Sequence, residues 1–332
     1  MLVPAWAAIV ALVMILYVVL DGTSLGIALL MPTEAGEKER TNLMNVIAPT
    51  WDANQTWLVF GGAAIFAAFP VIYTVLSSAL YLPLFTFIMG LIFRGVTFEL
   101  RAHAKVKKPW DRAFFLGSLG AVMCQGLMLG GILTGVKMSA GQFTGGPFDW
   151  FTPFSVMISV ALVSGYIMLG STYAVMKTTG ALQDKMYIHA RWSGFAVLGF
   201  MIIVTIWTPV HYPLVWQTWF SPPRIYFVWI FPLFGIASAY SLVESIKQRR
   251  EVRPFFSAVG LYLSGYLGLI TSLYPYAIPP SVTLREAAAQ HETLKFIFWG
   301  AAIVLPLVIA YVAYTYAVFR GKVTDKEYYS SA

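Results

Sequence analysis

The sequence predicts an all-α integral membrane protein, a single polytopic domain over residues 1–332 with about nine transmembrane helices. Of the 332 residues, 58% are hydrophobic and only 11% are charged, whereas about 25% are charged in an average soluble domain. A soluble chain of this size would need far more polar surface. Apolar runs long enough to cross a bilayer recur along the whole sequence. The segments that connect them are alternately rich and poor in lysine and arginine.

Each apolar run is predicted to be a helix, because backbone groups in hydrocarbon must satisfy their hydrogen bonds internally. About 20 residues suffice to cross the hydrocarbon core. The first run lacks a basic segment before it and a small-residue cleavage site after it, so it is predicted to be a span and not a signal peptide. The predicted spans are 3–30, 55–77, 79–99, 113–136, 152–176, 190–209, 225–246, 254–274 and 294–319.

Nine spans suit two four-helix bundles plus one extra helix. The second and third spans are predicted to join in a tight turn at residues 77–79, with a kink at Pro70 or Pro83.

An odd number of spans puts the termini on opposite sides of the membrane. Only four of the 22 lysines and arginines fall on one side, namely Lys137, Arg224, Arg285 and Lys295. The basic side is predicted to be cytoplasmic, so the N-terminus is periplasmic and the C-terminus cytoplasmic.

Several kinds of chemistry are not expected in this chain. Its one cysteine, Cys124, cannot form an intrachain disulfide or a cysteine-based metal site. Each of the four histidines maps to a loop or a helix end, whereas a membrane-embedded haem would take a histidine from within a span. The sequence contains no zinc-protease motif, nucleotide loop or dinucleotide fingerprint. We therefore predict neither a catalytic residue nor a metal ligand in this chain. The net charge of +7 is attributed to basic residues in the cytoplasmic connections of a membrane protein and not to nucleic-acid binding.

A small set of ionisable residues lies in or near the hydrocarbon, where charge is costly and faces a protein interior or water. Asp21 lies inside the first span. Thr23 and Ser24, which follow it, are possible hydrogen-bond donors to its carboxylate. The small residues Gly22 and Gly26 allow close helix packing. Two interpretations stay open for Asp21. It is a proton-relay acid, or it locks two helices together through a hydrogen bond.

Asp52 stands just before the second predicted span, beside Asn54, Gln55 and Thr56. One interpretation is helix capping; the other is a functional role, because capping needs one polar residue and not four. Arg94 and Glu99 lie near the end of the third span. They are five residues apart and so are not ideal partners for each other. Each is expected to pair with another helix or subunit, or to extend to the membrane interface.

The order and spacing of several motifs resemble subunit II of the cytochrome bd-type quinol oxidases, including the cyanide-insensitive branch. The resemblance covers nearly the whole chain. The segments that carry it are 17–26, 39–57, 61–70, 91–101, 170–180, 274–280 and 319–323. It implies a heterodimer in the bacterial cytoplasmic membrane with subunit I, which binds two b-type haems and one d-type haem. That complex oxidises quinol, reduces O2 to water and generates a proton motive force; a small accessory subunit and a bound quinone are compatible with it.

By resemblance, Asp52 would belong to a proton path from the cytoplasm along the subunit interface, in a region shaped by Trp51, Asn54 and Trp57. Asp21 matches the first acid of a family stretch with two acids. Ser24 stands where the second acid is expected, so a relay needing both carboxylates is in doubt, although Ser24 could still hold a water. Ala53 replaces a usual glycine, which is a mild change in a helix.

Two other hypotheses remain open from the sequence. The chain could be a proton-coupled secondary transporter that uses Asp21 and Asp52, although such transporters often show paired broken helices in two halves and none is evident. It could also be a purely structural scaffold in the same oxidase, with no proton role.

Overall fold

The computed structural model of the protein describes residues 2–139, 141–222 and 225–323. Arg224, which entered the comparison of basic residues, lies outside the described residues, as does Lys326. The helices are α1 (Leu2–Leu30), α2 (Glu37–Ile47), α3 (Trp51–Ala68), α4 (Pro70–Ala79), α5 (Tyr81–His103), α6 (Lys108–Thr134), α7 (Pro153–Lys177), α8 (Gly180–His211), α9 (Pro213–Phe220), α10 (Ile225–Val228), α11 (Ile230–Lys247), α12 (Arg253–Leu273), α13 (Leu284–Ala287) and α14 (His291–Val318). A short 3-10 helix (Met31–Thr33) follows α1. The chain also forms two short antiparallel hairpins, β1 (Met138–Ser139) with β2 (Gln142–Phe143), and β3 (Tyr276–Ile278) with β4 (Val282–Thr283).

The predicted all-α membrane fold is confirmed. Within the described residues, eight helices are long and apolar enough to cross a membrane, and the bent pair α3 and α4 makes up to nine. The single helix predicted over 55–77 is wrong, because the chain bends by 116° between α3 and α4. The bend falls at Phe69, directly before Pro70, which has no amide hydrogen and suits the first position of a new helix.

The tight turn predicted at residues 77–79 is also wrong. These residues form the last turn of α4, and the chain turns into α5 at Leu80. Pro83 causes no kink because it lies in the first turn of α5, where a missing amide hydrogen is tolerated.

The helix α2 was not predicted, because its many polar residues make the segment look like a loop. It is an amphipathic helix whose buried side chains are Leu43, Met44, Val46 and Ile47. Glu37 and Lys38 in its first turn are exposed, whereas Arg40 and Thr41 are only partly exposed. An apolar face turned toward the bundle is typical of a helix that rests on the end of a bundle. It fills most of the connection between α1 and α3, so it controls how the chain approaches α3.

The helices pack as two sets of four with α14 outside them. The first set is α1, α3, α5 and α6, in which α1 contacts α3 and α6, and α5 contacts α6. The second set is a closed ring in which α7, α8, α11 and α12 each contact two neighbours. The helices α1 and α6 both pack on α7 and so join the sets, while α14 packs on α3 and α1. This arrangement agrees with the predicted two bundles and extra helix.

The helices α1 and α7 approach closely at Gly26 and Gly170, as the small residues of the first span predicted. A Cβ at Gly26 would overlap the backbone carbonyl of Tyr166, and a Cβ at Gly170 would overlap the backbone of Gly26. The contact therefore requires glycine on both helices, as in other close helix pairs in membranes.

Gly26→Ala is expected to destabilise the protein, because the added methyl group forces α1 and α7 apart. We expect a loss of about 1–3 kcal/mol in the free energy of unfolding, the usual range for overpacking, measured as a lower Tm of the purified protein. Gly199→Ala is the control, since a Cβ at Gly199 would meet nothing within 4 Å. Equal Tm values for the two variants would contradict the close contact.

Side-chain contacts place the most basic connections at one end of the helices, which we call the basic end. Lys185 of α8 contacts Glu34 at 2.7 Å, and Arg40 of α2 contacts Asp111 of α6 at 2.7 Å. At the other end, Trp6 donates a hydrogen bond to the carbonyl of Leu294 at 3.0 Å. The start of α1 and the end of α14 therefore lie at opposite ends, as an odd number of spans requires.

Candidate functional site

A buried ion pair joins α1 to α5. Arg94 Nη1 lies 2.9 Å from Asp21 Oδ1, and Arg94 Nη2 donates a hydrogen bond to Asp21 Oδ2 at 3.1 Å. Both side chains are 0% exposed. Two parallel contacts of this kind hold a carboxylate and a guanidinium in a defined geometry. Inside a membrane protein such a pair also avoids the large cost of an isolated buried charge.

The position of Arg94 corrects one of the two interpretations made from sequence. The expectation that Arg94 extends to the membrane interface is wrong, since it is fully buried within α5. The expectation that it pairs with another helix is confirmed. The neighbours Thr23 and Ser24 do not bind Asp21 as was suggested, because Thr23 donates to the carbonyl of Val19 at 2.8 Å and Ser24 faces Asn54.

Tyrosines surround this ion pair, and the sequence analysis missed them. The hydroxyls of Tyr17 and Tyr166 lie within electrostatic reach of Asp21 and Arg94. The Tyr166 hydroxyl also donates a hydrogen bond to Oε1 of Gln125 at 2.9 Å. One signal was available in the sequence, because Tyr17 precedes Asp21 by four residues and therefore shares its helix face.

Asn54 connects three helices. Its Nδ2 donates to the carbonyl of Leu20 at 3.0 Å and lies 3.4 Å from Oγ of Ser24, both on α1. Its Oδ1 accepts a hydrogen bond at 3.1 Å from the hydroxyl of Tyr316 on α14. Asn54 lies one residue beyond the first turn of α3 and is 1% exposed. The side chain therefore fixes the start of α3 against α1 and α14. Tyr316, 262 positions away in the chain, could not be linked to it from sequence.

The two tryptophans expected to shape this region lie on either side of Asn54. The ring of Trp51 stacks on Phe98 of α5, with centroids 4.6 Å apart and an interplanar angle of 2°. The side chain of Trp57 is 1% exposed and belongs to the main hydrophobic core. Both therefore hold α3 in place, Trp51 against α5 and Trp57 within the core.

Asp52 lies on the opposite side of α3 from Asn54. It is not the helix cap suggested from sequence, because the N-cap is Thr50 and Asp52 lies within the first turn. A carboxylate in that turn suits the helix dipole. The Asp52 side chain is exposed, and the exposed residues along the same face of α3 are Thr56, Val59, Gly62, Ala63 and Phe66. Glu99 of α5 is exposed as well.

The structure thus divides the predicted site residues into two groups. Asp21, Ser24, Asn54, Trp57 and Arg94 are buried between helices. Asp52 and Glu99 face outward, and the half-buried Trp51 lies beside Phe98. Only the outward group can contact another chain or solvent directly.

A second polar network, also missed from sequence, anchors α2 at the basic end. Asp111 of α6 accepts hydrogen bonds from Nε of Arg40 at 2.7 Å and from Nε of Arg101 at 2.6 Å. Both terminal nitrogens of the Arg101 guanidinium, Nη1 and Nη2, also donate to Oγ1 of Thr41 at 3.3 Å. These contacts tie α2 to α5 and α6, and so hold the chain that leads into the first turn of α3.

Among the described residues, no group of three or more histidine, cysteine, aspartate or glutamate side chains is arranged to hold a metal ion. One histidine assignment needs correction. His189 lies inside α8, which begins ten residues earlier than predicted, at Gly180. His103, His211 and His291 do lie at helix ends.

The family model described as "Cytochrome bd terminal oxidase subunit II" matches residues 2–319. Similar proteins include "Cytochrome bd-I ubiquinol oxidase subunit 2" of Escherichia coli (strain K12), 26% identical over 97% of this chain and 95% of that protein. "Cytochrome bd ubiquinol oxidase subunit 2" of Bacillus subtilis (strain 168) is 27% identical over 97% of both chains. The structure of bd oxidase from Geobacillus thermodenitrificans shares the fold, with a TM-score of 0.72 and 17% identity over 97% of this chain and 99% of that chain.

Proposed function

Because this chain belongs to the cytochrome bd terminal oxidase subunit II family, we propose that it is the haem-free subunit of a quinol:oxygen oxidoreductase in a bacterial cytoplasmic membrane. It pairs there with a subunit I that holds two b-type haems and one d-type haem. This chain supplies no redox centre of its own. It supports assembly of the complex and takes part in delivering protons from the cytoplasm for the reduction of O2 to water.

The observation that carries the proton role is the exposed Asp52 in the first turn of α3. A carboxylate on the outer face of a membrane helix is costly unless another protein surface or water covers it. Farther along the same face, Gly62 and Ala63 leave room for a second helix to approach closely. Both features favour a partner chain that packs on α3 and encloses Asp52.

The direction of proton transfer follows from the basic end. By the positive-inside rule the end that carries most lysines and arginines faces the cytoplasm, so Asp52 stands at the cytoplasmic side. A proton taken up by Asp52 would move along the interface between the two subunits toward the site of oxygen reduction. Glu99, exposed on the neighbouring α5, is a second acid on the outer surface of this region.

Asp21 has a different role in this proposal. Its carboxylate is held by both terminal nitrogens of Arg94 and has no exposed atom. A relay acid must bind and release a proton, whereas the Asp21 carboxylate is engaged by the guanidinium of Arg94. We therefore propose that Asp21 and Arg94 maintain the packing of α1 on α5, and that Ser24 supports Asn54.

Purification from membranes in mild detergent tests the assignment to an oxidase. We expect a second polypeptide to accompany this chain, and a reduced-minus-oxidised spectrum with bands of b-type haem and of d-type haem in the red. The Asp52→Asn variant should purify with the same haem content, because Asp52 binds no haem in this proposal. A colourless, monodisperse single chain would support the transporter hypothesis, which membership in the oxidase family does not favour.

A further inference from the structure

The helix α14 is weakly held by packing, and side chains from other helices fix its ends. It is the least buried of the candidate spans in the described chain. At its start, Trp6 donates to the carbonyl of Leu294. Near its end, Tyr316 bonds to Asn54, and one turn later the helix meets Lys177 of α7. The contacts at the basic end therefore determine where the Tyr316 hydroxyl lies.

Lys177 caps the end of α14 from a neighbouring helix. Its ammonium donates to the carbonyl of Phe319 at 2.6 Å and to that of Gly321 at 3.3 Å. The last carbonyls of a helix lack partners within the helix and carry the negative end of its dipole, so a cation is favoured there. The residue is 5% exposed, and its ammonium lies 5.6 Å from the ring centre of Tyr173. Such burial is unusual for lysine and is explained by these carbonyl partners.

Contacts in the opposite direction close the arrangement. The backbone amide of Val323 donates to the carbonyl of Lys177 at 2.8 Å. Lys322 donates to the carbonyl of Thr178 at 3.2 Å and to Glu251 at 2.6 Å. We call Lys177, Lys322, Glu251 and the chain from Phe319 to Val323 the α14 clasp. It binds the end of α14 to the end of α7 and to the connection between α11 and α12.

The acid of the clasp stays ionised at neutral pH. Hydrogen bonds from the Lys322 ammonium and from the amide of Gln183 hold the pKa of Glu251 below its usual range. Glu251 is exposed, so its contribution to stability is small. Lys177 and the two carbonyls that it binds form the buried part of the clasp. Water cannot easily replace these hydrogen bonds, so they contribute more to holding α14 than the exposed contact of Glu251.

We propose that Lys177 is a positioning residue for proton uptake, acting through α14. It holds the last turn of α14 so that the Tyr316 hydroxyl meets Asn54, and Asn54 in turn fixes the first turn of α3, which carries Asp52. This inference rests on the proposed proton role of Asp52. It adds a residue far from Asp52 in sequence that touches neither the proton nor any haem.

The test compares Lys177→Met with Lys177→Arg in the complete oxidase complex. Methionine keeps the apolar stem and removes the donor, whereas arginine keeps a cationic donor. We expect Lys177→Met to lower kcat for oxygen reduction about 3- to 10-fold with unchanged KM for quinol and unchanged haem content, because a small misplacement of a reacting group is costly. Lys177→Arg should restore kcat to within about twofold. Amide hydrogen exchange of residues 315–323 should be faster only in Lys177→Met.

Lys247→Met is the matched control. Lys247 is the last residue of α11, as Lys177 is of α7, but it is exposed, so kcat and exchange should not change. An unchanged kcat in Lys177→Met would overturn the inference, as would a slow Lys177→Arg. If Lys177→Met does not assemble, Tyr316→Phe decides the question, since it removes only the hydroxyl at the far end of the linkage; full kcat in Tyr316→Phe overturns the inference.

The two proposals fail in different ways. If Asp52→Asn slows oxygen reduction but Lys177→Met and Tyr316→Phe do not, only the positioning role is wrong. If Asp52→Asn has full activity, the proton role on which this inference depends is wrong.

Discussion

The Asp52→Asn variant is expected to reduce oxygen roughly 10- to 100-fold more slowly than the unmodified complex, with the same haem content. Asparagine has the shape of aspartate but cannot take up and release a proton, and a positioned acid typically contributes about 100-fold or more to such steps. Asp52 is exposed on α3 and is not an N-cap. Its replacement should therefore leave Tm nearly unchanged. Steady-state oxygen consumption with excess quinol measures the effect.

Asp149→Asn provides the control for this experiment. Asp149 precedes α7 at the other end of the helices, where its carboxylate lies 3.1 Å from Lys137. Hydrogen bonds from Lys137 and from the backbone of Gly146 lower the pKa of this carboxyl below its usual range, so Asp149 is charged at neutral pH. We expect full oxygen consumption in Asp149→Asn. Full consumption in Asp52→Asn would remove Asp52 from the proton path.

The largest loss of stability is expected from Arg94→Met. Removing the guanidinium leaves Asp21 as an uncompensated charge with no exposed surface, and breaking a buried pair in this way costs about 3–5 kcal/mol. The yield of assembled, haem-containing complex should fall sharply, and the Tm of what remains should drop. Arg112→Met is the control, because Arg112 is exposed near the start of α6.

A double variant separates a structural from a proton-transfer role for Asp21. In Asp21→Asn with Arg94→Met neither charge remains, so we expect most of the lost stability to return. If the pair is structural, the double variant should also consume oxygen at close to the normal rate. Restored stability with slow oxygen consumption would instead assign Asp21 to the proton path. A double variant as unstable as Arg94→Met would contradict the charge argument.

The sequence by itself determined the class of fold, the approximate number of spans and the family. These conclusions depend on local properties of the sequence. The length of an apolar run indicates whether it crosses a bilayer, and the order of the motifs can be read directly from the sequence. The cytoplasmic orientation of the basic connections stays a prediction, which rests on their alternation along the chain. The helix α2 was missed, because polar composition hides an amphipathic helix. A kink at Pro70 was expected, but a proline predicts a break without its angle, which is 116° here.

Only the tertiary structure decided which side chains meet. Asp21 and Arg94 are 73 positions apart, and Lys177 and Phe319 are 142 apart; no spacing along the chain indicates either pair. The separation of Asp52 from Asn54 has the same origin. Two residues that are two positions apart in a helix point in directions about 200° apart. The packing of α3 on α1 therefore buries Asn54 and leaves Asp52 on the surface.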